Sequence, residues 1–144
     1  MATSLNLTKE EVLLSGANGM VGSYCDFGIK YGHELDVTNL RAVLEIGRQR
    51  MPKVIVHLAA LTDLALCEKD PAQAYLVNAA GTYNMALLAR EVGAKLVYVS
   101  TSGVFDGTKQ DPYTPEDIPN PINIYGHSKY LGELAVQSLS LIHI

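Results

Sequence analysis

Cysteine is scarce in this chain: Cys25 and Cys67 are the two thiols among 144 residues, and they form no C-x-x-C spacing. Isolated thiols point to a reducing compartment rather than to a disulfide framework. Charge is thin as well. Eleven Lys and Arg stand against 15 Asp and Glu, a net charge of −4, and 18% of residues are charged. A protein that grips nucleic acid shows a basic excess or a basic stripe, and neither is present, so no nucleic-acid partner is expected. No apolar run approaches the roughly 20 residues of a membrane helix. The opening MATSLNLTKEE has neither the basic start nor the apolar stretch of a secretory signal. A cytoplasmic protein with no membrane segment is the expectation.

What is present is an apolar fraction of 48%, enough for a core in one domain. Short β-like runs alternate with helical stretches. Val12 to Ser15, Val54 to His57 and Lys95 to Ser100 read as buried strands. The spacing predicts helices from Met20 to about Asp26, from Asn39 to Gln49 behind a Thr38 cap, from Ala72 to Val92, and from Ile124 to Ser138. Gly93 is placed to end the third of these. The segment Phe27 to Asp36 gives little periodic signal, and Gly107 to Pro121 reads as a surface loop. Strands apolar on both faces and separated by helices indicate a parallel sheet covered on both sides, a doubly wound α/β domain over residues 1–138.

The last six residues, Leu139-Ser140-Leu141-Ile142-His143-Ile144, spell what one frame of a common transposase sequencing adaptor encodes. Residues 139–144 are expected to be adaptor-derived, leaving the sheet incomplete at its C-terminus and a C-terminal substrate domain absent. A short apolar strand is the other reading of this stretch.

Gly16-Ala17-Asn18-Gly19-Met20-Val21-Gly22 is G-x-x-G-x-x-G, directly after a strand and opening a helix. The first glycine permits a tight turn, the second lets backbone approach a pyrophosphate, and the third lets helix and strand pack closely. Amides at the helix start then meet negative charge. Asp36 lies 20 positions beyond Gly16, the usual distance to an acid on the adenosine ribose. Only ten residues separate Gly22 from His33, so Asp36 is equally placed beside the adenine, and Asp26 and Lys30 are rivals for the ribose position. The choice between NAD and NADP stays open.

Tyr125 and Lys129 stand four apart on a helix, hence on one face. A phenol ordinarily titrates near about 10, and an ammonium one turn away favours the phenolate. Ser100-Thr101-Ser102 ends the preceding strand, where ligands of doubly wound sheets gather. Thr101 or a neighbouring serine is suited to hydrogen-bond a substrate oxygen.

The stretches LLSGANGMVG, ELDVTN, KVIVHLAALTDLALCE, AYLVNAAGTYNMALLAR, AKLVYVSTSGVFDGT and NPINIYGHSKYLGE together span residues 12–134. In that order they resemble the extended short-chain dehydrogenase/reductases, most closely the dTDP-4-dehydrorhamnose reductase family. The resemblance implies a Rossmann fold, NAD or NADP as cofactor, a nucleotide-sugar substrate and a homodimer in full-length form. It implies that Gly16, Gly19 and Gly22, with Asn18, Met20 and Val21 among them, hold the pyrophosphate. Asp36 and Val37 would lie beside the adenine, and Ala59, Ala60 and Thr62 would line the cofactor. Thr101, Tyr125 and Lys129 match the catalytic set, with Tyr125 protonating a carbonyl oxygen as hydride arrives. An epimerase or dehydratase of the same superfamily would share that set. A cofactor-binding regulatory subunit of the same fold, like the one that accompanies methionine adenosyltransferase, is the other reading, and the presence of Thr101, Tyr125 and Lys129 together argues for catalysis instead. The reductases read S-T-D-Y-V-F-D-G where this chain has Ser100-Thr101-Ser102-Gly103-Val104-Phe105-Asp106-Gly107.

No Cys or second His stands near His57 at metal spacing, so His57 is expected to be structural and no metal is expected. His33 and His127 read as surface residues. Asn78, by the resemblance, is an amide tying its helix to a strand. Cys67 and Glu68 read as a solvated helix start, and Glu10, Glu11, Glu116 and Asp117 as solvated acids.

Overall fold

The computed structural model describes residues 6–139. Residues 140–144, which hold most of the adaptor-like tail, lie outside the described residues. Four parallel strands form the sheet in the order β2-β1-β3-β4. They are β1 (Val12–Ser15), β2 (Ile29–Tyr31), β3 (Val54–His57) and β4 (Lys95–Tyr98). The chain steps outward from β1 to β2 and then back across β1 to β3 and β4. Right-handed crossovers in opposite directions put the intervening helices on opposite faces. α1 (Met20–Tyr24) covers one face, and α2 (Leu40–Arg50) and α5 (Gly81–Val92) cover the other. The sheet is doubly wound, as the sequence pattern implies.

The core lies between the sheet and α2, α5 and α6 (Ile124–Ser138). Leu13, Ile55 and Leu96 project from neighbouring strands onto Val43 of α2, Met85 and Leu88 of α5 and Val136 of α6. Each such side chain contributes about 1.5–3 kcal/mol on burial. The opposite face is thinly covered because α1 has five residues. A hollow of about 460 Å3 lies open there among Leu7, Val12, Phe27, Val54 and Val56.

Four details depart from the periodic reading. α1 stops at Tyr24, where the Cys25 amide turns back to the Gly22 carbonyl. β2 forms inside the segment without periodic signal, its two half-buried residues Ile29 and Tyr31 pairing with Leu13 and Ser15. Asn39, not Thr38, caps α2, its Oδ1 accepting from the Ala42 amide at 3.1 Å, while the Thr38 hydroxyl donates to Asp36. The long helix starts at Pro71 behind an Asp70 cap as α4 (Pro71–Tyr75), widens into a π-turn at Leu76–Ala80, then continues as α5. Gly93 ends it in the left-handed region at φ 69°, as expected. A short α3 (Leu64–Lys69) precedes it, and there Cys67 is fully buried, not solvated.

Candidate functional site

The strand order reverses at β1, and ligands of open parallel sheets bind beyond the strand ends at that point. A cleft of about 530 Å3 lies there. Gly16 forms its floor at φ +70°, and a Cβ on it would stand 2.4 Å from the Ala59 amide nitrogen. No other residue allows β1 and β3 to converge in this way. Gly19 precedes α1 and has no side chain to cap it, so amides of the first turn stay open to a ligand. Of the residues expected to hold the cofactor, Gly16, Asn18, Gly19, Asp36, Val37, Ala59 and Ala60 line the cleft. Gly22 lies buried beneath it, packed on Gly16 and Ala17. Met20, Val21 and Thr62 are exposed and stand outside its lining. Sequence reasoning missed Leu58 and Val77, which add apolar wall, and His33, which lines the cleft as well as being exposed.

Thr101 follows β4, and Tyr125 and Lys129 stand on the first turns of α6, which packs against the turn after β4. Asn123 caps α6, its Oδ1 accepting from Gly126 at 2.7 Å. The first turn of α6 lies hard against the turn after β4: a Cβ on Gly126 would sit 2.1 Å from the Gly103 carbonyl oxygen. Glycine at 126 therefore lets the first turn of α6, which carries Tyr125, pack on the turn that follows Thr101. The Thr101 Oγ1 accepts from the Gly103 amide at 3.1 Å, which leaves its own proton free to donate. One turn along, Lys129 is 3% exposed. Its Nζ donates to the Val99 carbonyl at 2.7 Å and sits 4.2 Å from the centre of the Tyr98 ring. Burial pushes its ammonium down to about 8, opposed in part by Glu133. Beside Thr101 a hollow of about 700 Å3 opens among Ser102, Phe105, Tyr130 and Glu133. The Ser100 Oγ at its edge is buried without a partner among the described residues.

A buried polar chain joins these regions. Thr82 donates its hydroxyl proton to the Asn78 carbonyl at 2.7 Å, so it accepts from His57 Nε2 at 3.1 Å. His57 Nδ1 then accepts from the Ser15 hydroxyl at 2.7 Å. His57 is structural, as expected, and burial holds it neutral, pushed down to about 3, with the Lys129 charge adding to the effect. It stacks on Tyr98, whose hydroxyl donates to the Lys129 carbonyl at 3.1 Å. Burial holds that phenol well above its ordinary range. Asn78, inside the π-turn, clamps the loop after β3: it accepts from the Leu61 amide at 2.8 Å and donates to the Leu61 carbonyl at 2.9 Å. It also donates to Ser128 at 2.9 Å. Among the acids read as solvated, Glu11 pairs with Lys53 and Asp117 with Lys109. Among the described residues no group of three or more His, Cys, Asp or Glu is placed to hold a metal, and no helix is long and apolar enough to cross a membrane.

A doubly wound parallel sheet with a glycine turn at its switch point, carrying the motifs described above, belongs to the extended short-chain dehydrogenase/reductases. Within them the chain belongs to the family described as RmlD substrate binding domain, whose model matches residues 10–144. It is 38% identical over 134 residues to a dTDP-4-dehydrorhamnose reductase of Burkholderia thailandensis, covering 88% of this chain and 45% of that one. It is 35% identical over 148 residues to methionine adenosyltransferase 2 subunit beta of Rattus norvegicus, covering 92% and 44%. The crystal structure of dTDP-4-dehydrorhamnose reductase from Bacillus anthracis in complex with NADP superposes with a TM-score of 0.85 at 40% identity, over 94% of this chain and 51% of that one. The chain thus spans about half the length of the relatives it matches.

Proposed function

We propose that the intact protein is an NAD(P)-dependent reductase of a nucleotide-linked 4-keto sugar, with Thr101, Tyr125 and Lys129 as its catalytic residues. The observation that carries this reading is Lys129, a cation buried to 3% exposure one turn from Tyr125 on α6. A fold gains nothing from burying an ammonium there, and such costs concentrate at working sites. Likeness to two dTDP-4-dehydrorhamnose reductases, one in complex with NADP, supports the reaction class.

The cleft fits a dinucleotide. Gly16 and Gly19 would admit the pyrophosphate, Leu35, Val37, Leu58 and Val77 would flank the adenine, and Ala59 and Ala60 would let the chain of the cofactor pass toward β4. When bound, the reduced nicotinamide supplies hydride. Tyr125 donates its phenol proton to the carbonyl oxygen of the sugar, and the Lys129 ammonium stabilises the phenolate that remains. Thr101, whose hydroxyl proton is free, hydrogen-bonds the same oxygen. Most of the residues that recognise the sugar are read as lying in the half of the relatives' length that this chain does not span. Residues 139–144 are read as adaptor-derived, and recovery of natural coding sequence through those codons from source DNA would remove that reading. The 144-residue chain alone is expected to show no turnover.

A second reading is a non-catalytic regulatory subunit. It is favoured by the likeness to the rat methionine adenosyltransferase subunit and by Ser102-Gly103, which differ from the acidic and aromatic pair of the reductases. Tyr125→Phe in the intact protein separates the two. Turnover of a dTDP-4-keto sugar should fall by about 10²–10⁴, with the dissociation constant for NADPH unchanged. Turnover equal to that of the unaltered protein, or none in either, would count against the reductase.

A further inference from the structure

We infer that Asp106 is a positioning residue: it closes the loop between β4 and α6, and so holds the turn that carries Tyr125 against the turn that follows Thr101. The inference rests on the reductase reading of these residues and deepens it. Thr101 and Tyr125 stand 24 positions apart in the chain, and most of what separates them is a surface loop in the sequence pattern. A free loop of that length would couple the two turns weakly.

The loop is instead knotted at its base. Asp106 Oδ1 accepts the amide and the hydroxyl of Thr108, at 2.9 and 2.8 Å, and the Tyr113 hydroxyl at 2.9 Å. Its Oδ2 accepts from Asn120 Nδ2 at 2.9 Å. These bonds hold the carboxyl well below the ordinary carboxylate range, so the knot keeps its charge at any pH near neutrality. The Asn120 amide donates in turn to the Val104 carbonyl at 2.8 Å. Asp106 lies five positions after Thr101 and Asn120 five before Tyr125, so their bond bridges 14 of the 24 positions. Phe105 stacks on Tyr113 with ring centres 4.3 Å apart, which braces the closed loop.

Beyond Asn120 the chain is stiff. Pro119 and Pro121 flank it, each fixing its own φ and restricting the residue before it. A Cβ on Gly126 would stand 2.1 Å from the Gly103 carbonyl oxygen and 3.2 Å from the Pro121 Cβ, so Gly126 is packed between Gly103 and Pro121. Asn123 then caps α6 two residues before Tyr125. A displacement of Asn120 therefore reaches Tyr125 through few soft dihedrals. Other bonds to this turn come from elsewhere: Glu68 Oε1 accepts the Ile124 amide at 2.8 Å, and Ser128 donates to the Tyr125 carbonyl at 2.8 Å. The body of α6 meets β4 further along, where the Tyr98 hydroxyl donates to the Lys129 carbonyl. The link from the first turn back to Thr101 runs through Asn120 and Asp106.

A reciprocal exchange in the intact protein tests this. Asp106→Asn sets one amide donor against another, and Asn120→Asp sets two carboxylates together, so each single change breaks the bond. The double change restores it with donor and acceptor reversed, while the oxygen left at 106 still accepts from Thr108 and Tyr113. Each single variant should lose about tenfold in kcat with a dTDP-4-keto sugar, a misplacement of about 1 Å being worth about 10²-fold. The ratio kcat/KM should fall in step, with the dissociation constant for NADPH unchanged, and the double variant should recover most of the loss. Hydrogen exchange at the Gly126 and His127 amides, both bonded to Asn123, should quicken in the single variants and slow again in the double. Unaltered kcat in both single variants, a double variant no better than either, or unchanged exchange at those amides would each overturn the inference. Absence of turnover in every chain, the unaltered one included, would overturn the reductase reading, and the exchange rates would then decide the role of Asp106 by themselves.

Discussion

Replacing Lys129 by methionine should make the folded chain more stable at neutral pH, and the gain should disappear as the solution is made alkaline. The ammonium is 3% exposed, and burial pushes it down to about 8 from an ordinary 10.5. That gap, at about 1.4 kcal/mol per pH unit, corresponds to about 3 kcal/mol. The bond to the Val99 carbonyl and the Tyr98 ring favour the charged form and offset part of that cost. The folded value is depressed, so between pH 8 and 10.5 the unfolded chain holds a proton that the folded chain has released. Unfolding free energy therefore rises with pH through that window, and below it the cost of burial is present in full. Methionine has a similar length and no charge. After the change the Val99 carbonyl loses this donor, which takes back part of the gain. Lys129→Met should accordingly gain about 1–3 kcal/mol at pH 7, and most of the difference should vanish by about pH 10. Urea unfolding of both chains at several pH values gives the difference directly. Ionisation of Tyr98 in the unfolded state weakens both chains alike and cancels. A difference that stays flat with pH, or a methionine variant weaker at pH 7, refutes the account of Lys129 as a costly buried cation.

The same logic with the opposite outcome applies to His57. Its neutral ring is pushed down to about 3 from 6.5, so its stabilisation is complete above 6.5 and drains away as pH falls toward 3. Between pH 7 and 5 the chain should lose about 2 kcal/mol through this group, a slope that His57→Gln should abolish in parallel urea titrations. Gly16→Ala should cost about 2 kcal/mol or more and remove dinucleotide binding by titration calorimetry, because its Cβ would overlap Ala59 at a positive φ. Retained affinity in that variant would show that the turn does not hold the cofactor.

The strands β1, β3 and β4 were legible in the sequence because each is a continuous apolar run, as a strand buried on both faces must be. β2 was not, since Ile29 and Tyr31 are too few to make a period. The π-turn was equally silent: one extra residue per turn leaves helical spacing intact on either side, so Ala72 to Val92 reads as one helix. Thr38 and Asn39 are both good caps, and only the turn that Asp36 makes with Thr38 decides for Asn39. Of the cleft, Gly16, Asn18 and Gly19 were readable from the glycine spacing, and Asp36, Val37, Ala59 and Ala60 came with the family resemblance. The remainder, Gly32, His33, Leu35, Thr38, Leu58 and Val77, stands next to these residues in the chain but has no chemistry of its own that marks it. Cys67 was misread for a related reason, since six residues of α3 are too short to reveal which face turns inward.

What no pattern could show is how the ends of the strands are joined. Ser15 and His57 are register partners, as are His57 and Tyr98, so one row across the sheet is polar where β1, β3 and β4 stop. All three are buried, and unpaired groups there would each cost about 1–3 kcal/mol. They are satisfied by Thr82 of α5 and by the Lys129 carbonyl of α6, partners 25 and 31 residues away in the chain. The apolar row beneath, Leu13, Ile55 and Leu96, tolerates small shifts of the helices above it, because hydrophobic contact has no direction. Hydrogen bonds do have direction, so the polar row admits α5 and α6 at one height only. Lys129 meets that row through its carbonyl, and Tyr125 stands one turn before it on α6. The distance between the glycine turn and the tyrosine is thus set by the sheet itself rather than by the loops that join them, and a change at His57 or Thr82 should disturb α6 as surely as one made on the helix.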